Sequence, residues 1–132
     1  MAKAFKAKQI NFMMPNRVGL LAEISAALAE AGVNIEALCA YEWEEKGAFM
    51  VIADNTAKAK RIISGMGAED LETEDVIALE VPNRVGELRK ASQKIADAGI
   101  DIYYLYTSPS KAKTATLIFK TDNDRKALKA LS

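Results

Sequence analysis

The chain has no histidine and a single cysteine, Cys39. The first absence removes the commonest general base and the commonest metal ligand. A lone cysteine makes neither an internal disulfide nor a thiolate cluster, so a reducing compartment, the cytoplasm, is expected. Net charge is missing too. Lysine and arginine total 18 and aspartate and glutamate total 18, which leaves no global field to draw in nucleic acid or an anionic membrane. No apolar run approaches the roughly 20 residues of a membrane span. Met1–Lys8 alternates lysine and alanine and lacks the apolar core of a signal peptide. Phosphate-binding glycine loops, catalytic dyads and metal-ligand spacings are also absent from the sequence. The expectation is a soluble protein with no metal, no cofactor and no catalysis.

What is present is a repeat. The 132 residues amount to one ordinary domain or two very small ones. Sliding the chain against itself by about 67 residues lays Met14–Tyr41 over Val81–Ser108. Pro15-Asn16-Arg17-Val18-Gly19 then coincides with Pro82-Asn83-Arg84-Val85-Gly86, and Leu21/Leu88, Ser25/Ser92, Gly32/Gly99, Ile35/Ile102 and Leu38/Leu105 also match. Asp54-Asn55 meets Asp122-Asn123 one residue further on, so the second copy gains a residue around Pro109–Lys113.

Each copy reads as strand, helix, strand, strand, helix, strand. Lys8–Met14 alternates, with Ile10, Phe12 and Met14 on one face, and Ile77, Leu79 and Val81 echo it. A helix is expected from about Arg17 to Ala31, with Val18, Leu21, Leu28 and Ala29 forming its apolar stripe. Asn34–Trp43 and Ala48–Ala53 are expected strands around the turn Glu44–Gly47, with a capped second helix after Asp54–Thr56. Ala68–Thr73 offers copy one a fourth strand. Copy two reaches Ser132 without one, and the open edge needs a cover. The fold class is therefore α+β: two ferredoxin-like βαββαβ repeats, residues 1–73 and 74–132, with antiparallel sheets packed as a pair and the second repeat lacking its last strand. The first helices differ. Glu87, Arg89, Lys90, Gln93, Lys94 and Asp97 give copy two a polar face, where copy one has mostly small and apolar residues that imply a second contact.

The doubled turn joins a strand end to a helix start. Free backbone N–H groups and the positive end of the helix dipole favour a carboxylate or phosphate there, and glycine allows close approach. The same residues also suit a structural turn, with Asn capping the helix and Pro ending the strand.

The pattern Met14-Pro-Asn-Arg-Val-Gly-Leu-Leu followed by Ala31-Gly-Val-Asn-Ile resembles the ACT domain. Val81-Pro-Asn-Arg-Val-Gly-Glu-Leu with Ala98-Gly-Ile-Asp-Ile resembles it again. The resemblance spans nearly the whole chain as a tandem pair. It implies a cytoplasmic, non-catalytic regulatory protein that binds a free amino acid at an interface between units, and a homodimer. By position it implicates Asn16, Arg17, Val18, Gly19, Leu20, Asn34 and Ile35, and in copy two Asn83, Arg84, Val85, Gly86, Asp101 and Ile102. Backbone N–H groups of Val18 to Leu20 would hold the ligand carboxylate, and Asn16 and Asn34, or Asp101, its ammonium. Glu87 and Asp101 stand where copy one has Leu20 and Asn34, and negative charge near a carboxylate pocket favours copy one as the working site.

Rival readings remain. The chain could be an interaction module, the regulatory partner of a separate biosynthetic enzyme, docking through the small-residue face of Ala22 and Ala26 and the open edge of copy two. An acyl-phosphate hydrolase would use a recurring arginine and asparagine, but here both sit on the turn. Tyr103, Tyr104 and Tyr106 could stack on RNA, although no basic aromatic signature accompanies them and strand packing suits them better. Cys39 reads as a core residue.

Overall fold

The structure is a computed structural model describing residues 3–111 and 113–132. Its elements follow the doubled strand–helix–strand–strand–helix order. Period-two alternation in β1 (Lys3–Pro15) turns Ile10, Phe12 and Met14 into the core, as a half-buried strand requires. β1 pairs antiparallel with β3 (Lys46–Ala53), Ile10 facing Val51 and Pro15 facing Lys46. β2 (Ile35–Trp43) also pairs antiparallel with β3, Ile35 facing Ala53 and Trp43 facing Lys46. β1 and β2 therefore run parallel and finish at the same end. Glu44 and Glu45, with φ of 48° and 67°, form a two-residue hairpin turn, the kind whose twist matches that of the strands it joins. Lys46 and Gly47 belong to β3, and the turn is shorter than the four residues expected.

The first helix corrects the sequence reading. α1 is Leu20–Glu30, three residues later at its start than Arg17. Gly19 holds a left-handed conformation, φ 88° and ψ −1°, and the Leu20 N–H donates to the Arg17 carbonyl at 3.2 Å. Arg17–Leu20 is thus a tight turn of the type that needs glycine at its third position. The delay rotates the buried stripe. Leu20, Ile24 and Leu28 face the core, one residue per turn, while Val18 is fully exposed and Leu21 is 45% exposed. Burial of each of these three stabilises the unit by about 1.5–3 kcal/mol. For the same reason Glu87, expected on a polar face, is buried at the matching position of α3 (Glu87–Asp97).

α2 (Thr56–Gly65) and α4 (Asp124–Leu131) begin as expected. Asn55 and Asn123 each accept a hydrogen bond from the third residue on, Lys58 N–H and Lys126 N–H, both at 3.1 Å. β4 (Glu69–Pro82) is one continuous strand where two were expected. β5 (Ile102–Lys111) and β6 (Thr114–Thr121) pair antiparallel, and their register slips between Pro109 and Lys111. That slip lies in the stretch where the extra residue was placed; Ala112 itself is outside the described residues.

The chain divides into two compact units. One is Lys8–Glu74; the other is Asp75–Ser132 together with the N-terminal residues through Ala7. In the first unit the strand order is β2-β3-β1-β4, and in the second it is β1-β4-β6-β5. β1 and β4 each serve both. The second copy supplies no last strand of its own, and residues 3–7 of β1 lie beside β4 in its place, with Ala4 packed on that unit's core. Covering β4 in this way removes an unpaired row of backbone groups. Phe12 and Phe49, stacked at 4.9 Å, anchor the first core, and Phe119 anchors the second. No described helix is long and apolar enough to cross a membrane.

Candidate functional site

Because β1 and β2 end together, the first turn stands beside the end of β2. Asn16 is held twice: its N–H donates to the Glu45 carbonyl at 3.1 Å, and its Nδ2 donates to Glu42 Oε2 at 3.1 Å. Arg17 is ion-paired with Glu23 in the first turn of α1. No side chain caps α1. Asn16, the residue that could have done so, points to Glu42 instead. The Glu23 N–H donates to the Gly19 carbonyl at 3.0 Å, which leaves the amides of Leu21 and Ala22 at the helix mouth among those with no intrahelical partner.

Leu21 and Ala22 line an open groove of about 310 Å³. One wall is Asn16, Arg17, Gly19 and the start of α1. The other is Ala40, Tyr41 and Glu42 of β2. Gly47 and Phe49 lie beneath with Leu20. Gly47 keeps the space open, since a Cβ there would stand 2.9 Å from the Phe49 ring and 3.2 Å from Leu20. The groove thus combines unpaired helix-start N–H groups, a carboxylate at Glu42 and an apolar floor.

The second unit repeats the turn with different residues around it. Gly86 is left-handed, φ 91°, and α3 has no side-chain cap. Its first residue, however, is Glu87, whose carboxylate takes Arg84 Nε at 2.6 Å and Lys90 Nζ at 3.8 Å. The hydrogen bond from Arg84 is the main cause holding the Glu87 carboxyl below its ordinary 4.5, against the opposing effect of desolvation. By register, Ala115 and Pro109 take the places of Gly47 and Glu42. Arg89 takes the place of Ala22.

The structure brings Asn16, Arg17, Gly19 and Leu20 together on the groove. Val18 is at the exposed tip of the turn. Asn34 and Ile35 lie at the other end of the unit, where β2 begins. The Asn34 N–H donates to Asp54 Oδ1 and its carbonyl accepts from the Asp54 N–H, both at 3.0 Å. Asp101 repeats this with Asp122 at 3.1 Å, beside half-buried Ile102. Asn83, Arg84, Val85 and Gly86 form the second turn. Sequence reasoning missed Ala40, Tyr41, Glu42, Gly47 and Phe49. The available signal was the parallel run of β1 and β2, which a strand–helix–strand unit implies. Cys39 is half-buried on β2.

A doubled βαββαβ fold carrying the same strand-to-helix turn in each copy is the architecture of a tandem regulatory module. The comparisons make this specific. A family model described as an ACT domain pair matches residues 5–131, and the chain belongs to that family. No curated protein matches the chain. Among solved structures, a protein of Bacteroides thetaiotaomicron is 26% identical, covering 97% of this chain and 88% of that one, with a TM-score of 0.86. The ligand-free regulatory subunit of aspartate kinase from Thermus thermophilus is 19% identical over 98% of this chain and 93% of its own, with a TM-score of 0.72. The regulatory subunit of aspartate kinase from Thermus flavus is 21% identical over 98% and 94%, with a TM-score of 0.68.

Proposed function

We propose that this chain is a non-catalytic, cytoplasmic regulatory protein that binds one free amino acid in the groove at the start of α1. The observation that carries the reading is the groove itself, which the uncapped start of α1 and Glu42 line together with Gly47, a position where a side chain would crowd Phe49. The Leu21 and Ala22 amides would take the ligand carboxylate, as helix N-termini take anions. Glu42 and Asn16 Oδ1 would take the ammonium, and Leu20 and Phe49 would meet the ligand's side chain.

Asn34 enters the reading differently. It lies at the far end of its own unit, so a single ligand can touch both Asn16 and Asn34 only if a second unit supplies one of them. The regulated partner would be a separate enzyme of amino-acid metabolism. The two Thermus proteins of the same fold are regulatory subunits of aspartate kinase, which favours an amino-acid biosynthetic enzyme over other partners.

Thermal-shift screening of the twenty amino acids, followed by calorimetry, tests the reading. One amino acid should raise the Tm of the wild type and fail to do so in Gly47→Val. If none shifts Tm and none releases heat, amino-acid sensing is wrong.

A further inference from the structure

The polar side chains that line the groove at the start of α1 are gathered at one end. Asn16 and Arg17 belong to the turn, and Glu42 stands near the end of β2. Each is held by a neighbour: Asn16 Nδ2 donates to Glu42 Oε2 at 3.1 Å, and Arg17 is ion-paired with Glu23. Away from that end the lining changes. Ala40 pairs with Phe49 as Glu42 pairs with Gly47, so Ala40 and Glu42 share the face of the sheet that α1 covers. Leu20, Leu21 and Ala22 form the wall on the α1 side.

Among the described residues, no polar side chain serves this inner part of the groove. Tyr41 pairs with Ala48, on the other face of the sheet, which turns its hydroxyl away. Leu38, the next residue inward on the same face of β2, packs half-buried against the core. Ser25, one turn further along α1, donates its hydroxyl to the carbonyls of Leu21 and Ala22 at 2.8 and 3.1 Å. Glu44 and Glu45 are exposed in the hairpin turn beyond Glu42, and Lys46 after them is ion-paired with Glu69. The second unit does not repeat the apolar stretch: Arg89 stands at the place of Ala22, and Thr107, paired with Leu117, at the place of Ala40.

We infer that the amino acid held in this groove has an uncharged, apolar side chain, and that Ala22 and Ala40 select it. The inference rests on the groove being an amino-acid site. With its carboxylate at the α1 start and its ammonium at Glu42, the ligand directs its side chain along the strip between Ala22 and Ala40, over Leu20 and Phe49. A hydroxyl, amide or ammonium laid there gives up water and meets no partner, and this penalty on the wrong ligand makes the selection. A side-chain carboxylate meets in addition the like charge of Glu42, Glu44 and Glu45.

Calorimetric titration of the full-length protein with matched amino acids tests this: L-valine against L-threonine, L-leucine against L-asparagine, L-phenylalanine against L-tyrosine, and L-methionine against L-lysine and L-glutamate. At least one apolar member should bind, and its polar counterpart about tenfold or more weakly, the factor expected when a buried polar group goes unpaired. Ala40→Asp, at an exposed position of a strand that pairs on one side only among the described residues, sets a carboxylate beside the ligand's side chain. It should move the ratio of lysine to methionine affinity toward lysine by about tenfold or more. Ala40→Val, which suits a strand, narrows the groove and should weaken leucine and methionine more than alanine. Circular dichroism confirms that both variants are folded. A polar or charged amino acid that binds the wild type as tightly as the best apolar one would overturn the inference and leave the groove an amino-acid site. So would folded Ala40→Asp and Ala40→Val proteins whose affinity ratios match those of the wild type. A wild type that binds none of the twenty amino acids would remove the site itself, and the inference with it.

Discussion

Gly47 bears on the proposed site through what it lacks. Its position on β3 beneath the α1 mouth leaves 2.9 Å between an added Cβ and the Phe49 ring, a ring already stacked on Phe12. Gly47→Ala should therefore cost about 1–3 kcal/mol of stability through overpacking, and Gly47→Val should fill the groove as well. Calorimetric titration with the stabilising amino acid would show no heat for Gly47→Val. Glu42 is exposed, so Glu42→Gln should leave Tm unchanged while weakening the ligand about tenfold or more, the loss of one charged hydrogen bond of about 1.5–3 kcal/mol. Glu87 predicts a pH dependence instead. Its folded-state pKa is depressed by Arg84, so the carboxylate adds stability that is complete above its ordinary 4.5 and is lost as pH falls through the lower folded value. Wild type should melt above Glu87→Gln at neutral pH, and the gap should close as the solution is acidified below 4.5. A gap that widens on acidification would show that the Arg84–Glu87 pairing is not its source.

Elements explain which parts of the site were legible in the sequence. The Pro-Asn-Arg-Val-Gly turn is local, and its glycine, strand end and helix start are all read from five adjacent residues. Ala40–Glu42 and Gly47 reach the same place only because β2 runs parallel to β1 and returns through β3, a fact of pairing that no short window contains. Asn34 shows the converse: it follows the helix closely in sequence, yet one strand length separates it from the turn. The shift in the buried stripe from Val18 and Leu21 to Leu20, Ile24 and Leu28 has a single cause, the left-handed Gly19, which postpones the helix. The doubled fold was legible because a repeat states the same pattern twice. The fusion of the expected fourth and first strands into β4 was not, since no glycine or proline marks a boundary that does not exist. Residues 3–7 of β1 belong with the second unit beside β4, which gives a prediction at this scale. Removing Lys3–Ala7 should lower amide-exchange protection along Ile77–Val81 while Phe49–Val51 in the first unit keeps its protection. Unchanged protection along Ile77–Val81 would mean that this segment contributes nothing to the second unit.

For the molecule as a whole, duplication raises the question of how many ligands it holds. Two turns of the same sequence would give two sites if the turn alone made a site. The groove, though, depends on residues beyond the turn, and these have diverged: Ala115 stands for Gly47, Pro109 for Glu42, Arg89 for Ala22 and Glu87 for Leu20. Each change removes space, or adds or removes a charge, where the ligand would lie. Glu87 brings a carboxylate of its own to Arg84, so a free carboxylate would meet repulsion where the first unit offers unpaired amides. Titration of the wild type is therefore expected to saturate at one amino acid per chain. Asn16→Ala with Glu42→Gln should weaken that single event strongly, whereas Asn83→Ala should leave it as it is, because the second turn is flanked by Glu87, Arg89 and Ala115 in place of Leu20, Ala22 and Gly47. Saturation at two per chain, with Asn83→Ala removing one, would place a working site at each turn and make the divergence of Ala115 and Glu87 a matter of ligand choice.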